Sequence, residues 1–361
     1  MVNTEVPWRT SYFPYIVGLS NDGPLLAFRL RYFHAAPYPS RVTVTQALQF
    51  DAGIGWHGTR FATAQYQAPR FAPGWRLYAL GSAVREARFG FYGVGEDAPY
   101  DPANEANGHD LFYRASRRTY RGQLEITRQI TGPLHFGVMG ELLSSRFSPL
   151  DQQPTLFQET FGSELSEDDA SVRGALVLDT RDVEYNPKRG VLLEAGAQIG
   201  SGGDGYQRLY GIFRGWVNPR KGTVLAARLL GSQLYGTPSL QARYFIPGWE
   251  RPILVLGGGF SHRGLDLVRY VGKGVLLGNF EVRQDVKSFG PNGALGGIGV
   301  IGFLDAGRVF EPSDFRLTFD SLKLGAGGGL SFRFLQSVAF TATLARGPEH
   351  TFFFISTGWL F

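Results

Sequence analysis

The chain has 361 residues, of which 49 are Gly and none is Cys, with 14% aromatic and 19% charged side chains and a formal charge of +5. Glycine at nearly twice its usual ~7% argues against helices, whose interiors lose about 1 kcal/mol per Gly, while 43% hydrophobic residues exclude disorder. The missing Cys removes disulfide scaffolds, Cys-ligated zinc and thiol chemistry, and a mild charge without Lys/Arg runs gives nucleic acid no support as a partner.

Period-two alternation recurs from end to end. Strands are predicted near 12–20, 24–35, 42–54, 59–69, 75–91, 112–130, 135–146 and 171–183, then near 191–200, 205–218, 223–234, 273–287, 294–309, 321–334, 337–346 and 351–361, about sixteen in all. In the ninth, Leu193, Ala195, Ala197 and Ile199 oppose Glu194 and Gln198. In the twelfth, Leu276, Gly278, Phe280 and Val282 oppose Asn279, Glu281, Arg283 and Asp285. One apolar face and one charged face, repeated this often, suits a barrel with lipid outside and a wet lumen. Short turns are read at Asn21 to Pro24, Asn186 to Gly190, Ser201 to Gly205, Asn218 to Gly222 and Gly290 to Gly293. Long links fall near 92–111, 147–170, 235–272 and 310–320, all on one side of the strand array. Outer-membrane barrels segregate short periplasmic turns from long external loops in this way.

The longest uncharged apolar stretch, Ala294 to Leu304, is too short for a spanning helix, which needs ~18 residues. Spanning strands remain allowed: they meet lipid at alternate residues and keep mean hydropathy low, here −0.11. The fold class expected is therefore all-β, a transmembrane antiparallel barrel over 12–361 behind an N-terminal periplasmic lead-in over 1–11. The first residues lack the basic start and apolar core of a signal peptide. The aromatics are expected at the membrane girdles and in the last strand, where Phe353, Ile355, Trp359 and Phe361 would share a face. A strand ending in Phe361, with Ile355 and Trp359, resembles the C-terminal recognition signal (β-signal) of bacterial outer-membrane barrels.

Few residues suggest chemistry. Gly297 to Gly302 fits GxGxxG literally, but a dinucleotide site needs that loop to open a helix, and a β pattern follows. No P-loop, HExxH or GxSxG occurs, and the six His residues lack ligand spacing. No enzyme activity, cofactor or metal is expected. Arg114, Arg117, Arg118 and Arg121 form a basic cluster that alternation sends to both faces.

Three motifs in order carry a family resemblance. Gly257-Gly258-Gly259-Phe260-Ser261-His262-Arg263-Gly264-Leu265 lies inside the 235–272 loop. Leu277-Gly278-Asn279-Phe280-Glu281-Val282-Arg283 follows, then Phe303-Leu304-Asp305-Ala306-Gly307. Upstream, Asp179, Arg181 and Asp182 with Pro187 and Gly190 form an Asp-x-x-Asp…Asn-Pro-x-x-Gly hairpin between strands eight and nine. This set resembles the BamA/TamA outer-membrane assembly-factor superfamily (the bacterial surface antigen family). His262 and Leu265 depart from its Val-Arg-Gly-aromatic motif, and no periplasmic POTRA domain precedes the first strand in this chain.

The resemblance implies a long sixth external loop folded into the lumen, where Arg263 would pair with Asp305, near Glu281 and Asn279, as a latch. Gly264 would allow a tight turn at the loop tip, with Leu265 beside it. It also implies a lateral seam between the first and last strands. Pro14 in the first suits only an edge or bulge, and Gly358 near the end of the last packs no side chain. The function expected is insertion or translocation of proteins, or of lipids, at the bacterial outer membrane. The partners expected are outer-membrane lipid and client outer-membrane or secreted polypeptides, with a homodimer left open. The alternative is a passive pore or membrane-anchor barrel, including the barrel part of a longer protein.

Overall fold

A computed structural model describes residues 7–17, 23–37, 40–106, 108–249, 251–290, 295–314, 321–334 and 338–361. The barrel wall begins with β1 (Trp8–Val17), β2 (Leu25–Ala35), β3 (Val44–Ile54), β4 (Arg60–Ala72), β5 (Trp75–Gly90), β6 (Arg114–Thr131), β7 (Leu134–Ser148) and β8 (Leu165–Asp179). It continues with β9 (Gly190–Gly200), β10 (Tyr206–Arg220) and β11 (Thr223–Gly236). The link that follows carries α2 (Leu240–Tyr244) and a two-stranded pair, β12 (Phe245–Ile246) with β13 (Ile253–Leu254). The wall resumes with β14 (Gly274–Phe289), β15 (Gly296–Phe310), β16 (Lys323–Phe334), β17 (Val338–Arg346) and β18 (Thr351–Thr357), while α1 (Leu156–Phe161) lies between β7 and β8. Sixteen strands make one antiparallel sheet in sequence order. The protein is an all-β transmembrane barrel.

Most wall strands bury alternate residues, the terminal β1 and β18 being the exceptions. On β6, Arg117, Thr119, Arg121, Gln123, Glu125 and Thr127 point inward, whereas Arg118, Tyr120, Leu124 and Ile126 are exposed. Exposed apolar side chains continue around the outside through Phe28, Val138, Val172, Leu209, Phe280 and Leu304. Such a surface is stable only against lipid. The links 91–113, 149–164, 237–273 and 311–322 all leave one end of the barrel. The opposite end has shorter connections, the longest being 180–189.

Two boundaries differ from the sequence expectation. β1 opens at Trp8, which stacks on Tyr32 with centroids 4.7 Å apart. β8 begins earlier, at Leu165, because Glu167 and Asp169 of its polar start find partners inside the barrel. There the Glu167 carboxylate accepts from Leu240 N and Gln241 N, and Asp169 accepts from Ser201 N, Gly202 N and the Tyr206 hydroxyl. The aromatics also divide differently. Phe89, Phe91, Phe147, Phe157 and Tyr244 are buried together near the external end, with Phe89 and Tyr244 edge-to-face at 4.9 Å. They form the packed base of the external links, not a membrane girdle. The turns read at Asn21 to Pro24 and Gly290 to Gly293 fall largely outside the described residues.

Candidate functional site in the lumen

The 237–273 segment is held against the inner wall from end to end. At its start, Ser239 caps α2 by accepting from Ala242 N. Glu167 receives the first free N–H groups of the helix, and Arg208 donates to the carbonyls of Ala242 and Phe245 at its other end. An anion at one helix end and a cation at the other satisfy the groups a short helix leaves open. Between β12 and β13 the chain descends to Trp249, which is 3% exposed. Its backbone N–H donates to Glu194 and its indole to Thr127, and the Arg76 guanidinium lies 4.7 Å from its ring centre. The space left between this segment and the wall includes a cavity of about 30 Å³, bordered by Arg121, Glu125, Arg208, Gln241 and Arg251. That is room for about two waters.

The segment then returns to the 257–265 motif. Gly257 and Gly258 take φ of +129° and +91°, and the Ser261 hydroxyl ties the bend by accepting from Gly257 N. Arg263 emerges over an in-register row of the wall, Arg228, Asn279, Asp305 and Gly325 on β11, β14, β15 and β16. Its Nε and Nη2 donate to the two oxygens of Asp305 at 2.9 and 2.8 Å, its backbone N–H adds a third bond at 2.9 Å, and Nη1 reaches Glu281 at 2.5 Å. The guanidinium carbon lies 3.6 Å from the Phe303 ring centre. Asp305 and Glu281 are both 0% exposed. Two parallel N–H···O bonds onto one carboxylate, with a flat face on an aromatic ring, use the geometry that separates Arg from Lys.

The neighbours complete the cluster. Asn279 donates to Asp305 and to Ser261 O, Arg283 donates to Glu281 at 2.8 Å, and Arg228 donates to Asn279 at 2.9 Å. Gly264 lies in the expected tight turn, closed by Leu265 N donating to His262 O at 3.2 Å, although its φ is not in the left-handed region. A Cβ there would lie 2.7 Å from Gly325 Cα and 3.0 Å from Gly347 Cα. Three backbones meet at this point, and glycine is what permits their approach. His262, where the family motif has Val, lies above Gly325 and donates from Nε2 to Lys323 O at 2.9 Å. Burial holds its pKa below the ordinary value. Leu265 is fully buried in the core of the segment.

At the opposite end, Asp179 accepts from Arg181 N, Nε and Nη2 and also pairs with Arg41. Asp182 accepts from Lys188 N, Pro187 is buried, and Gly190 has φ +106° against the Thr180 carbonyl. Onto this hairpin comes the chain end. Phe353 and Ile355 are exposed on the outer face of β18, but Gly358, at φ +91°, ends the alternation. Trp359 donates to Asn186, and Phe361 lies near Trp216 and the Arg228 and Arg283 guanidiniums, with its carbonyl accepting from Arg283. The four residues therefore do not share a face: the last two turn inward beyond Gly358. Trp249, Arg228 and Gly347 escaped the sequence reading, since alternation assigns a face but not the residue met across the lumen.

The sheet ends at β1 and β18, and no ladder joins them among the described residues. Pro14 sits in β1 opposite Phe28. β1 has no buried residue.

The comparisons agree with this architecture. No protein-family profile and no curated protein sequence matches the chain. Among solved structures, BamA from Haemophilus ducreyi lacking POTRA domains 1-3 superposes with a TM-score of 0.60 at 10% identity, over 97% of this chain and 70% of that one. The barrel shares its fold with that BamA barrel. CdiB from Escherichia coli gives 0.60 at 12% identity over 96% of this chain, and CdiB from Acinetobacter baumannii 0.51 at 14% over 97%. The chain spans 61% and 58% of those two CdiB chains.

Proposed function

We propose that this barrel resides in the bacterial outer membrane and inserts or translocates client polypeptides there, with the β1/β18 seam as the moving part and the Arg263 cluster as a fixed latch. The observation that carries the reading is the unpaired edge of β1 facing that of β18. An exposed edge is a template for another strand, and a barrel that served only as an anchor would gain by closing it. The 237–273 segment held across the lumen by Trp249, Arg208 and Arg263 argues against the passive pore, since it occupies part of the path that solutes would take. The latch supports the same division of labour: the segment is anchored to β14 and β15 and also packs on Gly347 and Glu349 beside β18, so β1 is the seam strand it leaves unheld.

Reconstitution into liposomes tests the proposal. The expected result is faster folding of a client barrel, followed by its heat-modifiable gel shift, without steady ion conductance. Steady conductance with no effect on the client would overturn it.

A further inference from the structure

On the outer face, four arginines stand in direct register across four strands. Arg60 of β4 pairs with Arg85 of β5, Arg85 with Arg118 of β6, and Arg118 with Arg146 of β7. Like charges directly opposite one another destabilise a sheet, so an unbroken row of four requires something to offset it. Among the described residues, Arg60, Arg85 and Arg118 have no carboxylate partner. Arg146 pairs with Glu164 at 3.1 Å, where both side chains are about half exposed. Arg85 Nε is buried without a hydrogen-bond acceptor. The inward arginines of the same strands differ: Arg117 pairs with Glu86 and Arg121 with Glu141.

The depth of the row identifies what it meets. Below Arg118, the outward positions of β6 are Tyr120, Gly122, Leu124 and Ile126, and then Arg128, whose guanidinium lies 4.9 Å from the Trp75 ring centre. From Arg118 to Arg128, a strand rising ~3.4 Å per residue and tilted ~45° covers about 25 Å, the height of a barrel's apolar band. Arg118 thus sits at the upper headgroup level, on the side of the long links, and with strands tilted ~45° and ~4.8 Å apart the row spans about 10 Å of depth. Beneath it on β4 and β5 the wall is bare, Ala62 facing Ala83 and Ala64 facing Gly81, with Tyr120 and Leu142 standing beside this trough on β6 and β7. A Cβ added at Gly81 or Gly122 would meet nothing within 4 Å. Elsewhere on the outer face, β9, β10 and β15 present Ile199, Leu209 and Leu304.

We propose that Arg60, Arg85, Arg118 and Arg146 bind the phosphate groups of an outer-leaflet glycolipid, whose acyl chains lie in the bare trough below. Guanidinium forks pair with phosphate oxygens bidentately, and a headgroup carrying two phosphates would neutralise the row. The acidic side chains of Glu164 and Asp168 bound the site toward β8. The proposal rests on placing the barrel in an outer membrane, but its readout needs no client, so its failure is distinguishable from failure of the insertase reading.

The test uses the full chain in phosphatidylcholine nanodiscs containing a bis-phosphorylated glucosamine-disaccharide lipid or its dephosphorylated form, with bound lipid counted by native mass spectrometry. The parent should retain the phosphorylated lipid on the order of 10- to 100-fold better than the dephosphorylated one, as expected for several basic groups near charged headgroups. The combined Arg60→Ser, Arg85→Ser and Arg118→Ser variant should lose that preference, and Arg128→Ser should keep it. In phosphatidylcholine alone the triple variant should unfold at or above the parent's temperature, because the like-charge row is relieved. No preference in the parent, or an unchanged preference in the triple variant, would overturn the site. The parent arm stands even where the triple variant fails to fold.

Discussion

Around Arg263, four neighbouring strands offer an in-register row of polar and glycine positions, and a loop fits onto it through a buried network of six side chains, Arg263, Asp305, Glu281, Asn279, Arg228 and Arg283. Around Pro14, β1 has one paired neighbour and exposed or half-exposed side chains throughout. The nearest ion pair there, Arg29 with Asp51, has its arginine 33% exposed. The same alternating pattern built both regions, so strand formation alone does not set local stability. What differs is whether a second element covers the inner face and satisfies its charges. Buried, satisfied charges line the wall from β5 to β16, as in the Arg117–Glu86, Arg173–Glu194 and Arg263–Asp305 pairs, and in the function proposed above the β1/β18 side is the part that opens.

Arg263→Ala should test that difference most severely. It strands Asp305 without its cation and leaves Glu281 to Arg283 alone, and breaking a buried pair this way costs about 3–5 kcal/mol. Denaturant unfolding in detergent micelles should register the loss, and an unchanged midpoint would break the comparison. Gly347→Ala comes next: its Cβ would overlap the Gly264 carbonyl, and overpacking of this kind costs about 1–3 kcal/mol. A full-strength Gly347→Ala protein would mean that the three backbones can separate freely.

A smaller effect is expected from pH. His262 is buried as the neutral ring, with Nε2–H bound to Lys323 O and Nδ1 lacking a partner, and burial lowers its pKa. The unfolded chain therefore takes up a proton below about pH 6.5, its ordinary range, where the folded chain resists it. This contribution to stability is intact above that pH and declines as pH falls, by at most about 1.4 kcal/mol per pH unit. His262→Gln, which can still donate to Lys323 O, should flatten the slope of melting temperature between pH 7 and 5. The smallest change belongs to the seam side. Arg29→Ala should cost less than Arg263→Ala, because Arg29 is 33% exposed and the buried Asp51 keeps the hydrogen bonds donated by Tyr15 and Gln49. A loss as large as that of Arg263→Ala would erase the contrast.

Much of this architecture was legible in the sequence because a barrel strand repeats its environment every second residue. Leu193 and Glu194, or Phe280 and Glu281, declare two faces with no knowledge of the neighbours. The ordered motifs around Arg263, Glu281 and Asp305 marked residues that the fold brings within hydrogen-bond reach. Contacts across the lumen were not legible. Nothing local to Gly347 reveals that Gly264, distant in sequence, packs on it. The inward turn of Trp359 and Phe361 depends on the positive φ of Gly358, which breaks the very alternation used to place them. The outward arginine row was equally hidden: Arg60, Arg85, Arg118 and Arg146 are unremarkable singly and become a feature only through strand register.

The most direct test of the account is to lock the seam. Cysteine pairs introduced along Trp8–Val17 and Thr351–Thr357 of this Cys-free chain can be oxidised to join β1 to β18. Client-barrel folding is then timed in liposomes before and after reduction. The account predicts that the oxidised barrel loses its acceleration of client folding and that reduction restores it. Equal acceleration in the locked and reduced states would contradict it.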